Sequence, residues 1–126
     1  MPRIPFATAL TLAFLVAVPD LGDSHEAAKG RNGGLRVDAG KYHTEIVADG
    51  TTKVSVFLSD ADDKPISATG FKATAILVIA GKSVRFGLEP ADGSRLVGTA
   101  PLPIKAGVKG VVRLTTPDGS TAQGKF

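Results

Sequence analysis

Two histidines and a scatter of carboxylates are the side chains of this 126-residue sequence that could do chemistry, and their spacing sets what that chemistry would be. His43 and Glu45 stand two apart, so on a β-strand both project from one face with their bases roughly 7 Å apart, close enough to supply two ligands to one ion. His25 follows Gly22 and Ser24, small residues that suit a signal peptidase wanting them at −3 and −1. Cleavage before His25 would free an amine and an imidazole that together chelate Cu(II), with His43 as a third nitrogen. Cleavage after Gly22 would expose Asp23-Ser24-His25, whose amine, amides and imidazole suit square-planar Cu(II) or Ni(II). The expected metal set is therefore His25, His43 and Glu45, and the expected ion is Cu(II) or another divalent transition metal. The competing reading is a solvent-facing polar pair on a strand and a polar tail. With no Cys anywhere and the one Met at position 1, thiolate or thioether ligation from the mature chain is excluded.

The inventory argues against catalysis. A nucleophile needs a base and an orienting partner, and no G-x-S-x-G or similar element is present. Acid pairs would have to come from Glu45, Glu89 and aspartates that solvated turns explain. The Asp60-Ala-Asp-Asp-Lys-Pro65 stretch lacks the Gly and the distal Glu of a calcium loop and reads as a turn. No enzyme is expected.

The elements that would position these residues follow from patterning. Arg3 precedes an unbroken small and apolar run, Phe6 to Val18, whose 13 residues are too few for a hydrocarbon core that needs about 20. Residues 1–24 therefore read as a cleaved signal peptide, and the bacterial periplasm is the expected compartment. Removing them leaves 14 basic and 10 acidic side chains, the basic ones spread along the sequence and interrupted by acids with no block of five or six, which argues against nucleic acid as a partner. No second run long enough to span a membrane follows, and without Cys no disulfide supports the fold.

Residues 25–34, rich in Gly and without a large aliphatic side chain, suggest a flexible N-terminal arm ahead of a domain over 35–126. From there, short aliphatic and β-branched runs recur about every ten residues between Gly, Pro and Asp, a pattern that predicts an all-β domain. The runs are 41–48, 52–59, 70–80, 83–89, 95–100, 107–116 and 120–126, giving about seven strands in a small Ig-like antiparallel β-sandwich. The run over 70–80, with Ile76-Leu-Val-Ile79, is expected to be a central strand covered on both faces. Phe57 interrupts the polar side of its strand, which places it under a loop or at a contact.

The order Gly33-Gly34, Gly40-Lys-Tyr-His-Thr-Glu45, Val54-Ser-Val-Phe-Leu-Ser-Asp60, Asp63-Lys-Pro65, Gly81-Lys82, Leu88-Glu-Pro90 and Pro117-Asp-Gly119 runs through the whole mature chain. It resembles small exported bacterial β-sandwich proteins of largely unknown function, and is similar to N-terminal modules of periplasmic adaptor subunits of heavy-metal efflux systems. Such relatives often carry His before the Gly-Gly pair, where this chain has Asn32. The resemblance implies a non-enzymatic periplasmic accessory module linked to copper-type efflux or metal stress, with a protein of the efflux system as partner. The alternative is a partner-binding domain that acts through an exposed strand edge or loop, with Phe57 and the Pro101–Pro103 segment as its surface features and no metal.

Overall fold

The computed structural model describes residues 27–126; the segment 1–24 expected to be a signal peptide, and His25, lie outside the described residues. Nine strands form: β1 (Ala28–Lys29), β2 (Leu35–Ala39), β3 (Tyr42–Ala48), β4 (Lys53–Ser59), β5 (Lys72–Ile79), β6 (Lys82–Asp92), β7 (Arg95–Thr99), β8 (Lys109–Thr115) and β9 (Thr121–Lys125). They lie side by side in the order β1, β2, β3, β4, β7, β6, β5, β8, β9, and Ala39 of β2 pairs back onto Gly124 of β9. Strands β2 to β9 thus close into an eight-stranded antiparallel barrel, with β1 added to the free half of the β2 edge.

This corrects the expected Ig-like sandwich of about seven strands. Alternation with turns every ten residues is common to sandwiches and barrels. What separates them is long-range pairing, and here the β4–β7 and β5–β8 ladders are continuous, leaving no break at which two sheets could part. Closure needs a residue with no side chain at the seam. A Cβ on Gly124 would fall 2.8 Å from Thr44 Oγ1 and 3.0 Å from Val37 Cγ2. Gly124 therefore lets β9 approach β2 as no larger residue would.

Eight strands leave an interior just wide enough for side chains to fill. Val54, Val56, Leu77, Leu96, Val112 and Leu114 occupy it and are fully buried. At one end the 60–71 connection brings in Phe71, packed edge-on against Tyr42 with ring centroids 5.4 Å apart. At the other end Ile104 is buried, its amide donating to the Thr51 carbonyl (2.9 Å) while the Gly50 amide donates to its carbonyl (2.8 Å). Pro101 and Pro103 belong to this cap. Because the barrel wall is one layer and the outer face of β5 stays open, the double cover expected for β5 does not occur. Ala73, Ala75 and Leu77 point inward and are buried, Ile76 is half-buried on the wall, and Val78 is 48% exposed. The polarity, apolar within and charged without, is the reverse of a lipid-embedded barrel.

Candidate functional site

Period-two geometry on β3 turns Thr44 and Ile46 into the barrel and leaves His43 and Glu45 together on the outer wall, as their spacing implies. Register then chooses their neighbours. On β2, Asp38 lies opposite His43 and Arg36 opposite Glu45; on β4, Ser59 and Phe57 take the matching places. Two segments cover this patch: residues 28–34, carrying β1 and a tight turn, and the 60–65 turn after β4.

Glu45 is buried, 5% exposed, although it stands on the outside of the barrel. Its Oε2 accepts hydrogen bonds from the backbone amides of Asn32 (2.9 Å) and Gly34 (2.8 Å), and Oε1 accepts one from Asn32 Nδ2 (3.1 Å). The chain can wrap a carboxylate this closely only with glycines around it. A Cβ on Gly30 would lie 2.1 Å from Glu45 Cδ, and Gly33 takes φ +83°. Converging amides make an anion-binding concavity, here filled by the protein's own side chain. The described part of the stretch expected as a flexible arm is in this way fastened to β3 at Asn32 and Gly34.

His43 is occupied on both sides. Nδ1 lies 2.6 Å from Asp63 Oδ1 and Nε2 lies 3.1 Å from Asp38 Oδ1. Carboxylate oxygens only accept, so each contact calls for a hydrogen on the ring nitrogen that faces it. Asp63 also accepts from Arg36 Nη1 (2.5 Å), and its backbone carbonyl accepts from Arg31 Nη2 (3.1 Å). The His43 hydrogen bond, joined by the Arg36 charge, holds the Asp63 carboxyl below the usual carboxylate range. Asp63 sits at φ +61°, a left-handed conformation that Asp tolerates at some cost and that aims its side chain at the wall. The turn that presents it is built on Asp60, whose Oδ1 accepts the amides of Asp62 (2.8 Å) and Lys64 (3.0 Å).

Between the two fastened segments lies a cleft of about 100 Å³, with Phe57, Ser59 and Ser94 at its floor and Arg31, Asn32 and Pro65 at its rim. Phe57 is half-buried there, under the loops, as its place on a polar strand face predicts. A larger apolar hollow of about 380 Å³ lies beneath the turn on its far side, against Leu35, Ile46 and Val108.

Of the expected metal set, the structure brings His43 and Glu45 to one wall but points them at different partners, and His25 lies outside the described residues. Among the described residues no group of three or more His, Cys, Asp or Glu side chains surrounds a common cation position. Sequence reasoning gives Arg36 and Asp38 no part, and meets Asn32 only as the residue before the Gly-Gly pair and Asp63 only as a turn residue. The alternation Leu35-Arg-Val-Asp-Ala39 was the available signal for the first two. Asp63 could be found only from the fold, since it acts across 20 residues. In comparison with known proteins no family model matches the chain, and neither a curated protein nor a solved structure matches it.

Proposed function

We propose that the chain is a non-enzymatic accessory module of the periplasm that binds a protein partner, and that the partner is engaged at the cleft between the 28–34 turn and the 60–65 turn. The observation that supports this most is the use made of the chemistry-bearing residues. Glu45 and His43 spend their hydrogen-bonding capacity on holding two segments rigidly beside Phe57. A pre-organised cleft with an aromatic floor and guanidinium rim is a good anchor for a partner side chain, because little ordering entropy is left to lose on binding. Export rests on the N-terminal run, and the nomination of a heavy-metal efflux subunit as partner rests on the resemblance of motif order.

Metal handling through His25, His43 and Glu45 is the weaker reading, because Cu(II) would have to draw Glu45 away from Asn32 and Gly34 and His43 away from two carboxylates. The test is affinity capture from the periplasm of the host with the wild-type chain and with Arg31→Glu/Phe57→Ser, neither residue being a fastener of β3. The reading expects one partner retained by the wild type and lost by the variant at unchanged circular dichroism. A partner list that the substitutions leave unchanged overturns it.

A further inference from the structure

A second surface stands on an independent observation. Pairing of β6, β5, β8 and β9 aligns their outward residues in rows: Lys125, Val111, Ile76, Arg85 in one; Gln123, Arg113, Thr74, Gly87 in the next; Lys109, Val78, Ser83 beside them. Lys72 extends the same face opposite Thr115. Five cations, Lys72, Arg85, Lys109, Arg113 and Lys125, thus share one wall, all exposed. No ion pair among the described residues engages any of them. Most of the acids lie elsewhere. Asp38 and Glu45 are on β2 and β3, Asp49, Asp60, Asp62 and Asp63 are in turns on the other side, and Asp92 ends β6 beside Arg95. Two acids stand at the borders of the wall: Glu89, where β6 meets β7 opposite Val97, and Asp118, in the turn that joins β8 to β9. At the end of the wall nearest the β5–β6 turn is Val78, the exposed large hydrophobic residue of the described chain, between Lys109 and Ser83, with half-buried Ile76 and Val111 in the adjoining row.

We propose that this wall docks on anionic phospholipid headgroups, so that the barrel works at a membrane surface. Clustered Lys and Arg are drawn to an anionic leaflet, and their long stems let the charged ends reach headgroups while aliphatic side chains touch the boundary below. The wall is the convex side of a cylinder, about 15 Å across its four strands. Mobile headgroups rearrange to meet cations spread over such a surface, whereas a rigid acidic protein would have to match them. None of its outward positions carries an aromatic ring, so it offers nucleobases no stacking platform.

The test is co-sedimentation of the full chain with phosphatidylcholine vesicles and with vesicles that are half phosphatidylglycerol. Arg3 and the apolar run Phe6–Val18 are common to every variant, so a difference between variants belongs to the substituted charges. Binding to the anionic vesicles is expected to be at least about tenfold stronger and to fall by about that factor when salt is raised to the order of 0.5 M. Arg85→Glu/Arg113→Glu, and separately Lys109→Glu/Lys125→Glu, should each bring binding down to near the neutral-vesicle level. Lys53→Glu/Lys64→Glu, the same charge change on the opposite side, should keep most of it. The proposal is overturned by equal binding to the two vesicles, by equal loss in the opposite-side variant, or by capture on polyglutamate or heparin beads without vesicle binding. The last outcome would assign the wall to an acidic protein or polysaccharide.

Discussion

At the residue scale the decisive feature is a buried carboxylate with amides as partners. Removing Glu45 would leave the amides of Asn32 and Gly34 without acceptors, so Glu45→Ala should cost on the order of 2–3 kcal/mol, read from chemical denaturation. Amide exchange at Asn32 and Gly34 should accelerate in the same variant. Glu45→Gln, which keeps an acceptor oxygen but loses the charge, should cost less and leave Cu(II) affinity in native mass spectrometry unchanged. Acid dependence follows from two other carboxylates. Asp63 is held low by His43 and then Arg36, and Asp118 is lowered to about 2, first by the Thr116 hydroxyl and next by the Ser120 amide. Both are more favourably ionised in the folded chain than in the unfolded one, so their contribution is fully present above the ordinary value of 3.8. It is lost as pH falls through the lowered values. An acid titration followed by circular dichroism should therefore lose stability below about pH 4, and Asp63→Asn should flatten that loss.

At the scale of the strand, period-two alternation made most of the fold legible. It marks Val54, Val56 and Leu58 as inward on β4 and Val84, Phe86 and Leu88 as inward on β6, and all six are buried. The same pattern misleads where an apolar run has no polar partner to contrast with it. Ile76-Leu-Val-Ile79 reads as covered on both faces, yet the single-layered wall buries only alternate residues. Leu77→Ala should cost about 2–5 kcal/mol, whereas Val78→Ala should stay within about 0.5 kcal/mol. Equal losses at both positions in urea unfolding would put a second layer over β5. β2 was hard to see for the opposite reason, since Arg36 and Asp38 break a short apolar series that begins directly after the glycines of the turn.

On the scale of the whole molecule, what sequence cannot display is which distant strands meet. Basic residues are spread along the chain with acids among them, yet pairing of β5 with β6 and β8, and of β8 with β9, gathers five cations on one wall. The same is true of the cleft, which joins residues from β2, β3, β4 and three turns. His43 and Glu45 were legible as a pair on one strand face, but the segments that bury them, with Asp63 and Asn32, arrive only through the folded connections. All of this hangs on one ring of strands, in which β2 carries the fastened turn on one half of its edge and meets β9 on the other. The most direct test is a nuclear Overhauser experiment on the labelled chain at the β2–β9 seam. The closed barrel predicts cross-strand contacts between Ala39 and Gly124 together with slow amide exchange along β8 and β9. Absence of any contact between residues 35–39 and 121–126, with β9 exchanging freely on its outer edge, would contradict the closed barrel and restore two separate sheets.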